Sequence, residues 1–95
     1  MQDNDKKAVI ELSKKGSRLF RSGQYEEAKE AYLKALEVDQ NNTYVLSGLG
    51  DVYRKLCRFE ESGKYYDLVL KIDKTNVFAL RVAGDARRAM HNPEQ

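Results

Sequence analysis

Few residues of this chain could do chemistry. There is one histidine, His91, and one cysteine, Cys57, and they stand 34 residues apart. Gly16, Gly50 and Gly84 repeat at the same interval. Cys57 and His91 therefore hold equivalent places in successive units of a periodic chain. Equivalent atoms of stacked helical units lie about 10 Å apart. That is too far for a nucleophile and its base or for a shared metal ion. Both are read as loop residues standing where the first unit has Gly23. The lone cysteine excludes an internal disulfide. Walker-type loops, HExxH and GxSxG are absent from the sequence. The glutamate pairs Glu26-Glu27 and Glu60-Glu61 open helical segments, where the helix dipole favours negative charge. They read as solvated helix starts, not as acid–base dyads. Tyr25, Tyr32, Phe59, Tyr65 and Tyr66 could be taken for an aromatic cage, but helical spacing assigns all except Tyr65 to core filling. The expectation is a protein that is not an enzyme and has no cofactor and no metal site.

The elements that carry these residues follow from periodicity. Leu12, Leu46 and Leu80 keep the 34-residue interval, as do Tyr25 and Phe59, Tyr32 and Tyr66, Asp39 and Asp73, and Asn42 and Asn76. A period of this size marks a stacked array whose units cannot bury their apolar faces alone. Apolar residues recur at helical spacing, which predicts five helices over about 5–22, 25–38, 43–56, 59–72 and 77–90. Gly23 ends the first helix, and Asn42 is placed to cap the third. Glu30 with Lys34 and Glu60 with Lys64 have the spacing of surface ion pairs. The 95 residues make one domain at most, with 34% charged residues and a net charge of +2. So small an excess of cations disfavours nucleic acid, which calls for a concentrated basic stripe. No apolar run is long enough to span a membrane. The polar segment Met1–Lys7 lacks a secretory signal's apolar stretch. The expected setting is intracellular and cytoplasmic.

The pattern resembles the tetratricopeptide repeat, a 34-residue helix–turn–helix unit with small residues where its two helices cross. Gly16 with Ala28, Gly50 with Ser62, and Gly84 match the small positions, and Tyr25/Phe59 and Tyr32/Tyr66 the aromatic ones. Helices approach closely only where side chains are small, and aromatics fill the wider part of the wedge. The resemblance implies an all-α, right-handed array of about two and a half repeats: 9–42, 43–76 and a partial 77–95. Departures are Leu12, Leu46 and Leu80 where the family often has Trp, and Gln40 and Lys74 in place of its junction proline. The apolar residues of the last helix exceed what one face can hide, which predicts a fragment of a longer protein.

In proteins similar to this one, the first helix of each repeat lines a concave groove. The groove positions carry over as Ser13, Ser17, Phe20 and Arg21; Tyr44, Ser47, Asp51, Arg54 and Lys55; and Phe78, Arg81, Asp85 and Arg88. Residues 13, 17 and 21 share one helical face, as do 47, 51 and 55, and 81, 85 and 88. The resemblance implies a non-catalytic adaptor or scaffold that binds a partner's acidic and apolar peptide segment. Members that hold chaperone C-termini use a carboxylate clamp of Lys and Asn. The matching Ser13, Ser17, Asp51, Arg81 and Asp85 include one compatible residue, Arg81, so an Hsp70 or Hsp90 tail is not expected as a partner. Two alternatives are a self-association module, forming a homo-oligomer through the C-terminal helix, and single-stranded RNA binding as in pentatricopeptide arrays.

Overall fold

The structure is a computed structural model that describes residues 2–75. Four α-helices follow in order: α1 (Asp3–Arg21), α2 (Tyr25–Val38), α3 (Thr43–Lys55) and α4 (Phe59–Ile72). Helices α2 and α4 keep the bounds expected from periodicity. Helix α1 starts two residues earlier and stops at Arg21, because the Ser22 hydroxyl turns back to donate to the carbonyls of Arg18 (3.1 Å) and Leu19 (3.0 Å). The fifth helix and the third repeat fall outside the described residues.

Both hairpin turns are built alike. After α1, the Gln24 amide donates to Leu19 O and the Gly23 amide to Phe20 O; after α3, Arg58 donates to Tyr53 O and Cys57 to Arg54 O. These paired bonds satisfy the last carbonyls of each helix and require a left-handed residue between them. Gly23 supplies it with φ 82°, and Cys57 with φ 61°. The cysteine is exposed, in keeping with its reading as a loop residue. The junction between hairpins is capped differently. Asn42 Oδ1 accepts from the Val45 amide at 3.1 Å, while Asn42 Nδ2 donates to Asp39. Among the described helices, α3 alone has a side-chain N-cap.

Helix α1 packs on α2, α3 on α4, and α2 joins the two hairpins by packing on α3. One core cluster centres on Val9, Ala28, Tyr32, Ala35, Val45, Leu49 and Val52, and a second on Leu46, Tyr66 and Val69. The tyrosines are the wedges. A Cβ on Gly50 would lie 2.7 Å from the Tyr66 ring, and one on Gly16 would lie 2.9 Å from the Tyr32 ring. Tyr32 also rests against Gly48 of the second hairpin, at 2.6 Å from where a Cβ would stand. The two hairpins thus close over one ring. Gly48 has no glycine 34 residues before or after it, so the period does not point to it. At the second crossing Ser62 is fully buried, and its hydroxyl donates to Gly50 O at 2.8 Å. Among the described residues the surface ion pairs are Lys29 with Glu26 and Arg58 with Glu61, both at i,i+3. Glu30–Lys34 and Glu60–Lys64 do not form.

Candidate functional site

The first helices of the two hairpins, α1 and α3, lie side by side, and the tyrosine wedges send their hydroxyls out between them. Tyr32 donates from the core to Ser17 Oγ at 3.3 Å, and Ser17 Oγ lies 2.7 Å from the Tyr44 hydroxyl. The three hydroxyls thus form a chain from the core to the surface, where Tyr44 is 57% exposed. Three hydroxyls own three hydrogens and this chain uses two, so one remains for an external acceptor. In the second hairpin Tyr66 donates to the Asp51 carboxylate instead.

The expected groove residues do not all present themselves equally. Ser13 is buried, at 7% exposure. Phe20 is half-buried and meets Tyr25 edge-on at 5.4 Å. Ser17, Ser47, Asp51 and Arg54 are half-buried, and Arg21, Tyr44 and Lys55 are exposed. Phe78, Arg81, Asp85 and Arg88 lie outside the described residues. A cleft beside Tyr44 is lined by Lys14, Ser17, Arg18 and Arg21. It continues into a second one lined by Val9, Ile10, Ser13, Lys14, Asn42 and Tyr44. Lys14, Arg18 and Ile10 were not among the groove residues read from the sequence. Their signal was present, since 14, 18 and 21 share a helical face, but exposed cations on a helix usually mean no more than a solvated surface.

The electrostatics differ between the two hairpins. Burial raises the Asp51 carboxyl above the usual aspartate value, against the opposing pull of the Tyr66 hydrogen bond and of Arg54 and Lys55. Burial likewise raises Tyr66, which the Asp51 carboxylate reinforces. Tyr32 is raised by burial too, while its bond to Ser17 works the other way. Both tyrosines stay protonated and act as donors. Among the described residues no cluster of His, Cys, Asp and Glu could hold a metal ion, and no helix is long and apolar enough to cross a membrane.

Sequence profiles of the TPR repeat match residues 16–56, and those of the tetratricopeptide repeat match residues 44–76. The chain belongs to the tetratricopeptide repeat family. No curated protein matches its sequence. Among solved structures it is similar to the first TPR of Spaghetti (RPAP3), bound to the HSP90 peptide SRMEEVD, at 25% identity and a TM-score of 0.86, covering 93% of this chain and 70% of that one. It is also similar to the second TPR domain of human RPAP3 in complex with the HSP70 peptide SGPTIEEVD, at 24% identity and a TM-score of 0.87, covering 93% and 73%. The Sgt2 TPR domain from Aspergillus fumigatus matches at 23% identity and a TM-score of 0.83, covering 88% and 56%.

These relatives overturn the expectation that an Hsp70 or Hsp90 tail is excluded, because domains of this fold hold both kinds of chaperone peptide. The physical reason lies at Asp51, one of the residues read as incompatible. Its carboxylate accepts the Tyr66 hydroxyl and sits in the field of Arg54 and Lys55. The neighbouring cations Arg54 and Lys55 offset part of the charge that this carboxylate presents to an incoming anion.

Proposed function

We propose that this tetratricopeptide domain is a non-catalytic interaction module whose concave face, along α1 and α3, receives an extended acidic and apolar segment of a partner protein. The observation that carries the reading is the α1 side of the face. There an exposed tyrosine at the end of a hydroxyl chain stands among Lys14, Arg18 and Arg21, which make no ion pair among the described residues. Unpaired cations beside a directed hydroxyl suit acidic side chains or a terminal carboxylate, and the half-apolar cleft alongside suits an aliphatic one. The peptide complexes of the relatives add support, and they make chaperone tails natural first probes. On this reading Arg54 and Lys55 meet acidic groups further along the face, joined by Arg81 if the family's groove positions carry over.

The test is calorimetric titration of the 95-residue chain with the peptide SRMEEVD at two salt concentrations. A groove this short buries modest area, so the expected Kd is about micromolar or weaker, and it rises with salt. Arg54→Ala with Arg81→Ala should weaken binding, whereas Lys34→Ala with Lys64→Ala, on the second helices of the hairpins, should not. Equal loss from both pairs would remove the concave face from the reading.

A further inference from the structure

The cleft at α1 has more positive charge than a single carboxylate can use. Lys14, Arg18 and Arg21 lie at i, i+4 and i+7, all three are exposed, and no acidic side chain lines the cleft with them. Arg18 and Arg21 fall in the last turn of α1, where the helix dipole alone would favour cations. Lys14 lies a turn earlier, beyond that influence. The nearest acidic group on α3 is Asp51, and its carboxylate is engaged by Tyr66 and flanked by Arg54 and Lys55. The cleft also holds the outward end of the Tyr32–Ser17–Tyr44 hydroxyl chain, which has one hydrogen to give. A monoanion would leave most of these donors and charges unmatched. A phosphoryl group, with about −1.5 to −2 charge and three acceptor oxygens, would match them.

We propose that this end of the groove recognises a phosphorylated serine or threonine of the bound segment, a specificity that rests on the peptide-binding reading above. Lys14, Arg18 and Arg21 surround the phosphoryl oxygens, and the Ser17–Tyr44 pair donates its one remaining hydrogen to one of them. The adjoining cleft, with Val9, Ile10 and the Tyr44 ring in its wall, takes an aliphatic side chain of the same segment. The two clefts are centred about six residues apart along α1, a separation of about 9 Å at 1.5 Å per residue. An extended segment covers that distance in about three residues. The recognised pattern is therefore a phosphoresidue about three positions from an aliphatic residue.

The probes are nine-residue peptides carrying a leucine three positions from a phosphoserine, in both orders, with matched peptides carrying serine or glutamate in its place. Affinity is measured by fluorescence anisotropy with the full chain. For one order, phosphoserine should bind more tightly than serine by about tenfold or more, as expected for one to three new charge-assisted hydrogen bonds, with glutamate in between. Lys14→Ala with Arg18→Ala should erase the difference between phosphoserine and serine. Both positions are exposed and alanine favours helix, so circular dichroism should show an unchanged fold. Lys64→Ala should preserve the preference. Equal binding of phosphoserine and glutamate, a preference surviving in the double variant, or no binding of any probe would each overturn the proposal. If the probes fail while SRMEEVD binds, the phosphate site falls and the groove reading stands. If SRMEEVD fails as well, both fall together.

Discussion

In the first hairpin the wedge tyrosine, Tyr32, ends on the Ser17 hydroxyl; in the second, 34 residues on, Tyr66 ends on the Asp51 carboxylate. The rings do the same job in both places, each filling the space over a glycine, Gly16 or Gly50. What changes is the polar end, and with it the chemistry around it: a neutral donor chain surrounded by cations in one hairpin, an engaged carboxylate in the field of Arg54 and Lys55 in the other. The turns diverge in the same way, with Gly23 and Cys57 in one left-handed backbone position. The comparison teaches that the repeat dictates where a side chain stands and what volume it may have, while its polar terminus is free to differentiate one unit from the next.

The wedge itself gives the largest expected effect. Gly50→Leu forces a side chain into the fully buried Tyr66 ring and should cost about 3 kcal/mol, read as a lower urea midpoint. Gly16→Leu should cost less, because Tyr32 is slightly exposed and its ring can give way toward solvent. Equal losses would mean that the two wedges are equally rigid, and a parent-like Gly50→Leu would remove the wedge from the account. The junction comes next. Asn42→Ala removes the one side-chain cap among the described helices and should cost about 1 kcal/mol.

The two turns offer a smaller, opposite pair. Cys57→Gly relieves a side chain held at φ 61°, and the gain should be about 0.5–1 kcal/mol once the glycine's extra unfolded-state freedom is counted. Gly23→Ala should lose a similar amount. A Cys57→Gly variant no more stable than the parent would show that the cysteine turn is not strained.

The smallest effect is the pH dependence of the second hairpin. The folded Asp51 carboxyl titrates above its unfolded value near 3.8. The native state therefore binds the proton more tightly than the unfolded chain. The Asp51 contribution to stability is present below that value and is lost as pH rises through the folded pKa. Asp51→Asn keeps an acceptor for Tyr66 and cannot ionise. Its stability relative to the parent should therefore improve between about pH 3 and pH 7, measured by urea unfolding at each pH. Ser17→Ala in the first hairpin should show no such pH-dependent difference. An Asp51→Asn difference that is flat with pH would mean that burial does not disfavour the Asp51 charge.

Much of this was already written in the residues. The 34-residue recurrence of glycine, aromatic and asparagine specified the hairpins, because a helix pair can cross closely only over small side chains and a unit with an apolar face must stack. Asn42 as a cap followed from local backbone chemistry, which depends on near neighbours alone, and Cys57 as a loop residue followed from the repeat, which sets it where the first unit has Gly23. Gly48, the hydroxyl chain and the state of Asp51 did not follow. Gly48 matters because Tyr32 of the other hairpin rests on it, and Asp51 is engaged because Tyr66, 15 residues away, reaches it. The cations at 14, 18 and 21 were visible as one helical face, but only the arrival of Tyr44 from α3 turns that face into the wall of a cleft. Sequence periodicity decides which residues share a face. The packing of one helix against the next decides what each polar group meets, and hence its charge state and its function.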